Sequence, residues 1–365
     1  MWFEGNRRTA RAIRVGSLTL GGGAPVSVQS MLNTDSRDAA ACVAQAERLC
    51  REGCELIRMA VPVKEAAATL AALKEAGIRV PLVADIHFDY RIALEAVACG
   101  ADKIRINPGN IGSDERVRAV VEACRAHGIP IRIGVNAGSL QKDILAKYGG
   151  PTPEALAESA MTHVRLLERF DFDNIVVSVK TSQVRDMIYA NRLLAEMCPY
   201  PLHLGVTEAG TVRTGTLKSA VGIGSLLCDG IGDTIRVSLT ADPEEEVRAA
   251  RGLLQTLGIG RTGGIELVSC PTCGRTRVPL IAMAEELERR LASELHDGRR
   301  LRVALMGCAV NGPGEAREAD IGAAAGDGEA VLFKKGVVVR KIAASHLVDE
   351  LIREINEMRD ADTNA

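Results

Sequence analysis

From Val26 to Leu257 the chain alternates two kinds of hydrophobic spacing. Short β-branched runs read as strands: Val26–Met31, Leu56–Val61, Leu82–Ile86, Lys103–Asn107, Ile131–Asn136, Ile175–Lys180, Leu202–Thr207 and Thr234–Leu239. Between and after them lie stretches with helical periodicity: Arg37–Arg51, Lys64–Ala76, Tyr90–Ala98, Asp114–Ala126, Pro153–Arg169, Gln183–Met197, Leu217–Leu227 and Pro243–Leu257. Pro153 and Pro243 suit a first helical turn, where the missing N–H costs nothing. Gly53, Gly77, Gly100, Gly128 and Gly258 fall just past helix ends, where a left-handed residue is wanted. Strict strand–helix alternation predicts a parallel sheet, and eight repeats are the number that closes a (β/α)8 TIM barrel. An open doubly wound sheet is the competitor, but no Gly-x-Gly-x-x-Gly follows the first strand. Arg11–Val15 and Ser17–Leu20 read as a hairpin plugging the bottom of the barrel.

At Gly258-Ile-Gly-Arg-Thr-Gly-Gly264 the alternation stops. The chain therefore divides into a substrate-binding barrel, residues 1–258, and a smaller α+β domain, residues 259–365. The second part contains a helix (Leu280–Leu295), a strand (Leu301–Leu305), a hairpin over Ala330–Val339 and a last helix (Ala344–Met358), with a frayed tail from Arg359.

The polar pattern within the strands is unusual. In a barrel, functional residues lie at the C-terminal strand ends, and here those ends are rich in charge. Side chains alternate faces along a strand, so Arg105 and Asn107 share a face, as do Arg132 and Asn136, Ser178 and Lys180, and Arg236 and Ser238. The intervening residues are aliphatic and pack on the helices, which leaves the polar set pointing inward together with Arg58. Inward cations are costly without neutralisation. Asp85, Glu208 and Asp233 are internal candidates, and a multiply charged anion is the other. The fork of arginine matches phosphate oxygens two at a time, so the pattern points to a phosphorylated substrate, with a diphosphate as the best match. His87, beside Asp85 at a strand end, is a candidate proton donor or hydrogen-bonding group. The segment Gly138–Thr152 reads as a surface loop or a lid.

Charge and composition narrow the choice further. With 45 basic and 47 acidic residues the net charge is −2, and aromatic residues make up only 3%. There is neither the basic face of a nucleic-acid binder nor a stacking platform for single strands. No apolar run approaches the ~18 residues of a membrane span. Met1–Ala10 lacks the apolar core of a signal peptide, so the protein is expected to be cytoplasmic. Of its ten cysteines, Cys42, Cys50, Cys54, Cys99, Cys124, Cys198 and Cys228 sit in apolar surroundings and read as small buried hydrophobes. Cys270-Pro-Thr-Cys273 and Cys308 differ, lying in turns rich in Pro and Gly. Three thiolates in tight turns suit a cubane iron–sulfur cluster, with Glu315 of the same loop as a fourth ligand. A zinc site and a redox thiol pair remain the alternatives.

Together these motifs closely resemble the 4-hydroxy-3-methylbut-2-enyl diphosphate synthase family. The resemblance is carried by Val28-Gln-Ser-Met31, Ala84-Asp-Ile-His87, Ile104-Arg-Ile-Asn-Pro-Gly-Asn110, Gly134-Val-Asn-Ala-Gly-Ser139, Thr207-Glu-Ala-Gly210, Gly232-Asp-Thr-Ile-Arg-Val-Ser238, Cys270-Pro-Thr-Cys273 and Cys308-Ala-Val-Asn-Gly-Pro-Gly-Glu315. It spans nearly the whole chain and matches the short bacterial form. It implies a 4Fe–4S cluster held by Cys270, Cys273, Cys308 and Glu315. It also implies 2-C-methyl-D-erythritol 2,4-cyclodiphosphate as substrate and flavodoxin or ferredoxin as electron donor. Glu208, Asp85, His87 and Glu315 are the catalytic candidates. Arg58, Arg105, Asn107, Arg132, Asn136, Ser178, Lys180, Arg236 and Ser238 are the substrate-binding ones. The rival readings are a non-redox barrel enzyme with a zinc-stapled accessory domain and a non-catalytic metal module that recognises a protein. The seven residues Gly258–Gly264 reach at most roughly 25 Å. That span is too short to bring a domain over its own barrel mouth, which predicts a head-to-tail homodimer with composite sites.

Overall fold

Eight parallel strands form the larger sheet: β3 (Ser27–Met31), β4 (Leu56–Ala60), β5 (Leu82–Asp85), β6 (Lys103–Ile106), β7 (Ile131–Asn136), β8 (Ile175–Lys180), β9 (His203–Leu204) and β10 (Thr234–Ile235). Their order is β8-β7-β6-β5-β4-β3-β10-β9. The remaining gap is bridged by the Val177–Leu202 pair and by Val177 N–H donating to the Pro201 carbonyl at 2.9 Å. With a helix after each strand, this is the (β/α)8 TIM barrel. The structure is a computed structural model and describes residues 7–259, 264–292, 300–308 and 316–363. Glu315, the end of the helix expected to reach Leu295 and residues 260–263 of the linker lie outside the described residues.

The local signals act where the sequence places them. Asp38 caps the helix Ala39–Arg51 by accepting from Ala41 N–H at 3.0 Å, and Thr152 caps Pro153–Glu168 by accepting from Ala155 N–H at 3.2 Å. Gly53, Gly77, Gly100, Gly128 and Gly258 all have positive φ, between 67° and 89°. The aliphatic alternates Ile104, Ile106, Ile131, Ile133, Val177, Val179 and Ile235 are fully buried in the core between sheet and helices. β1 (Ile13–Val15) and β2 (Leu18–Leu20) form the expected hairpin. Its apolar side chains pack with the inward-facing Leu56, Val83 and Val176, closing the barrel bottom.

Two strands are shorter than the sequence predicts. β9 and β10 each hold two residues, because after Arg236 N–H donates to the Leu204 carbonyl at 3.0 Å the ladder ends beside Gly205. Gly138–Thr152 is not a plain loop. It contains a helix, Lys142–Tyr148, ended by Gly149 at φ 71°. Lys147 Nζ and Tyr148 Oη both donate to Glu158, at 2.5 and 2.6 Å, and pin that helix to the next one.

The chain divides into two units at Gly260/Arg261. In the second unit, β11 (Gly264–Ser269), β12 (Arg300–Met306) and β13 (Ile321–Ala325) run parallel. β14 (Glu329–Lys334) and β15 (Val337–Ala343) continue the sheet antiparallel. Helices Leu280–Ala292 and Leu347–Thr363 pack through Leu287, Leu291, Leu351 and Ile355 on Val303, Leu305 and Ile321. β11 and β13 were not expected. One follows a glycine-rich break and the other, Ile-Gly-Ala-Ala-Ala, holds a single β-branched residue where strands usually carry several. The final helix also continues past Arg359 to Thr363, so that stretch is not the frayed tail expected. Among the described residues no helix is long and apolar enough to cross a membrane.

Candidate active site

Strand pairing ranks the inward side chains by depth. The pairs Gln29–Leu56, Arg58–Val83, Val83–Lys103, Arg105–Arg132, Arg132–Val176, Val177–Leu202, His203–Thr234 and Thr234–Ser27 accumulate a displacement of eight residues around eight strands. Inward residues then stack in rings of four drawn from alternate strands. From the plugged bottom upward the rings are Leu56, Lys103, Val176 and Thr234; then Gln29, Val83, Arg132 and His203; then Arg58, Arg105, Ser178 and Arg236. Above these come Met31, Asp85, Gly134 and Gly205, and Lys180 and Ser238 lie toward the mouth.

Asp85 is the hub of the upper rings. Its carboxylate accepts from Arg58 Nη2 at 2.6 Å and from Arg105 Nη1 at 3.0 Å, and His87 Nε2 lies 3.3 Å away. Arg105 Nη1 is also 3.3 Å from His87 Nε2, so the four expected residues do meet. Burial works against the Asp85 charge, but the Arg58 and Arg105 guanidiniums and the His87 bond outweigh it and hold the carboxyl well below its usual range. Glycine makes room for the cations. A β-carbon at Gly134 would stand 2.8 Å from Arg105 Nη2, and one at Gly205 would stand 2.5 Å from Lys180 Nζ.

Other expected residues take different parts. Asp233 does not neutralise the inward cations. It accepts from Arg7 at 3.0 Å and from Leu202 N–H at 2.9 Å. Arg236 finds Glu246 instead, in a two-pronged pair at 3.0 and 3.0 Å, with Ser30 Oγ donating to the same carboxylate at 2.8 Å. Glu246 escapes sequence reading because it is the third of three glutamates in a first helical turn, where acids are expected for the helix dipole. Asn107 is consumed locally, its Oδ1 accepting from Gly109 N–H and its Nδ2 donating to Ser139 Oγ, both at 3.1 Å. Asn136 ends β7 with its N–H donating to Ser139 Oγ at 3.3 Å. Ser178 is buried, Ser238 is half-buried and Glu208 is exposed. Glu208 holds a left-handed backbone at φ 53°, unusual for a non-glycine residue. Phe88, next to His87, is likewise left-handed at φ 64° and exposed.

The charge balance of this interior is lopsided. Arg58, Lys103, Arg105, Arg132, Lys180 and Arg236 are buried or nearly so, and face two carboxylates, Asp85 and Glu246. Lys103 was missed from the sequence because it opens its strand, one turn of the pleat below the motif. Burial, together with the neighbouring guanidiniums, pushes Arg132 and Lys180 well below their ordinary values and lowers Arg58 to about 10. A site with four more cations than anions in a low-dielectric interior is built for a multiply charged anion.

In the second unit, Cys270 follows β11 and Cys308 follows β12, at the same edge of two adjacent parallel strands. Gly307 N–H donates to Cys270 Sγ at 3.3 Å, and Arg277 N–H to the Gly307 carbonyl at 3.1 Å, tying the two turns together. The exposed Cys273 thiol is lowered by a backbone N–H of Arg275. Among the described residues no three metal-binding side chains converge closely enough to form a preassembled site. The thiol-rich donor set and the N–H directed at sulfur nonetheless fit an iron–sulfur cluster. Of the scattered cysteines, Cys42, Cys54, Cys124 and Cys198 are buried as expected and Cys50 and Cys99 partly so, whereas Cys228 is exposed on its helix.

Two family models match the chain: the GcpE TIM-barrel domain over residues 10–251 and the GcpE protein C-terminal domain over residues 266–357. The chain is 56% identical over 352 residues to the 4-hydroxy-3-methylbut-2-en-1-yl diphosphate synthase (flavodoxin) of Caldanaerobacter subterraneus subsp. tengcongensis, covering 96% of this chain and 98% of that protein. The proteins of the same name from Clostridium perfringens and Ruminiclostridium cellulolyticum are each 54% identical, again over 96% of this chain and 99% and 98% of theirs. The chain belongs to the GcpE family of 4-hydroxy-3-methylbut-2-en-1-yl diphosphate synthases, an oxidoreductase family.

Proposed function

We propose that the protein converts 2-C-methyl-D-erythritol 2,4-cyclodiphosphate to 4-hydroxy-3-methylbut-2-enyl diphosphate. Two electrons and two protons enter, the ring C–O bond to phosphate breaks, and one hydroxyl leaves as water. The observation that carries this reading is the excess of buried cations around Asp85 in a barrel of this family. Arg58, Arg105, Arg132 and Lys180 bind the diphosphate, whose oxygens supply the negative charge the barrel lacks. Asp85 fixes Arg58 and Arg105 in place and orients His87, whose half-exposed ring is placed to donate a proton or hold the departing hydroxyl. Arg236, held by Glu246, shapes the wall, and Glu208 is the other candidate acid.

Cys270, Cys273 and Cys308, with Glu315 as the non-thiolate ligand, would hold a 4Fe–4S cluster that supplies the electrons. Flavodoxin is the donor we assign, after the names of the relatives, with ferredoxin as the alternative. A head-to-tail homodimer, in which one chain's cysteines serve the other chain's barrel, completes the proposal.

The test is anaerobic purification followed by single-turnover assay with the cyclic diphosphate and reduced flavodoxin. Brown protein with iron and sulfide near four each per chain and turnover to the open diphosphate is the expected result. Colourless protein holding one zinc, or iron-loaded protein without turnover, would overturn it. Mixing Cys308→Ser and Arg105→Ala chains under exchange conditions should restore activity if sites are composite.

A further inference from the structure

At the bottom of the barrel, below the Asp85 hub, lie two rings of which the reaction as described uses only Arg132. Their polar members are Lys103 and Thr234 in the lowest ring and Gln29, Arg132 and His203 in the next. All five carry buried polar atoms without a hydrogen-bond partner among the described residues: Lys103 Nζ, Thr234 Oγ1, both Gln29 amide atoms, Arg132 Nε and Nη1, and both His203 nitrogens. Lys103 is completely buried. Other cations of the barrel are paired, Arg7 with Asp233 and Arg236 with Glu246. Asp85, three levels above Lys103, is already taken by Arg58, Arg105 and His87. The ammonium thus sits on the inward face of β6 two residues before Arg105, roughly 6.6 Å deeper, with Arg132 one ring above it and, among the described residues, no carboxylate at its level.

A buried, uncompensated ammonium destabilises a fold, and a buried group left without a partner calls for a compensating function. We propose that Lys103 is a further positioning residue for the diphosphate: a deep ammonium kept without counter-charge beneath the anion-binding rings, whose charge is balanced only when phosphoryl oxygens occupy the cations above it. It raises the positive potential at Arg132 and Arg105 and, being enclosed below them, draws the anion to the bottom of the funnel rather than to its rim. The hairpin plug, Ile13, Val15, Leu18 and Leu20 packed on Leu56, Val83 and Val176, seals it from the opposite side, so counter-ions reach it through the mouth. This rests on the cyclic-diphosphate reading above.

The two roles of a buried lysine predict opposite stability changes. A structural ammonium lowers stability when removed, whereas one held against its own desolvation leaves stability unchanged or raises it. The experiment measures inorganic pyrophosphate binding by calorimetry, and unfolding midpoints without ligand, for the full chain and for Lys103→Met and Lys103→Gln. The expected result is pyrophosphate affinity lower on the order of tenfold in both variants, from loss of one charge a few ångströms below the site, with midpoints at or above wild type. Wild type that fails to bind pyrophosphate would remove the diphosphate reading itself, and this inference with it. Wild type that binds, with variants of unchanged affinity, would overturn the role of Lys103 alone. Lower midpoints, or failure of both variants to fold, would also overturn it, by showing that the ammonium holds the barrel together.

Discussion

Replacing Asp85 by Asn removes the one carboxylate that neutralises Arg58 and Arg105 while keeping its shape. Arg58 then loses its ionic partner at 2.6 Å, and Arg105 keeps two neutral contacts, the Gly134 carbonyl and His87 Nε2, each at 3.3 Å. Breaking a buried pair by deleting one partner typically costs about 3–5 kcal/mol, because the other charge stays buried and unpaired. For a unit of this size each kcal/mol moves the melting temperature by about 2–4 °C, so Asp85→Asn should melt roughly 6–20 °C below wild type at pH 7. The pH profile adds a sign. The folded carboxyl lies well below its ordinary value of 3.8, so its contribution is fully present above that value and is lost as pH falls through the folded pKa. The gap between wild type and variant should therefore be constant from about pH 8 to 5 and narrow only below about pH 4. Melting curves followed by circular dichroism across this range provide the measurement. A variant melting within about 2 °C of wild type at pH 7, or a gap that grows on acidification, would refute the hub role of Asp85.

Arg132→Met should lower pyrophosphate affinity about ten- to a hundredfold, the range for a charge-assisted hydrogen bond, without lowering the melting temperature, since Arg132 has no carboxylate partner among the described residues; calorimetry and melting check both. Arg105→Ala should lose affinity and stability together, because that arginine also pairs with Asp85. Cys270→Ser, Cys273→Ser and Cys308→Ser should each abolish iron binding, read by metal analysis and visible absorbance. Their far-UV circular dichroism should be retained, because these thiols lie in the second unit, outside the core of the barrel. Gly134→Ala should cost about 1–3 kcal/mol by overpacking and weaken pyrophosphate binding as well, because the Arg105 guanidinium must leave the strand; an alanine variant with wild-type affinity would show that the close approach is idle.

Much of the barrel was legible because each signal is local. Val/Ile alternation, prolines in first turns and glycines past helix ends depend on neighbours within one element, and the parity argument that turns Arg105 and Arg132 inward needs only the pleat of a strand. What stayed hidden involves partners distant in sequence. That Lys180 fills the space beside Gly205 is visible in neither segment alone, and β13 is a strand because β12 and β14 flank it, not because Ile-Gly-Ala-Ala-Ala favours one.

The site divides along the same line. Sequence alone determines which residue types line the mouth, that Cys270, Cys273 and Cys308 stand apart from the other cysteines, and to which family these motifs are similar. Those are matters of composition and spacing, carried by short stretches of chain. Only the tertiary structure decides who neutralises whom. It gives Arg236 to Glu246 rather than to Asp233, makes Asp85 serve two arginines and a histidine, and leaves Lys103 and Arg132 with no carboxylate partner among the described residues. The reason is that pairing depends on the depth at which a side chain enters the barrel. Depth follows from the register and tilt of eight strands closed on one another, which no single strand encodes.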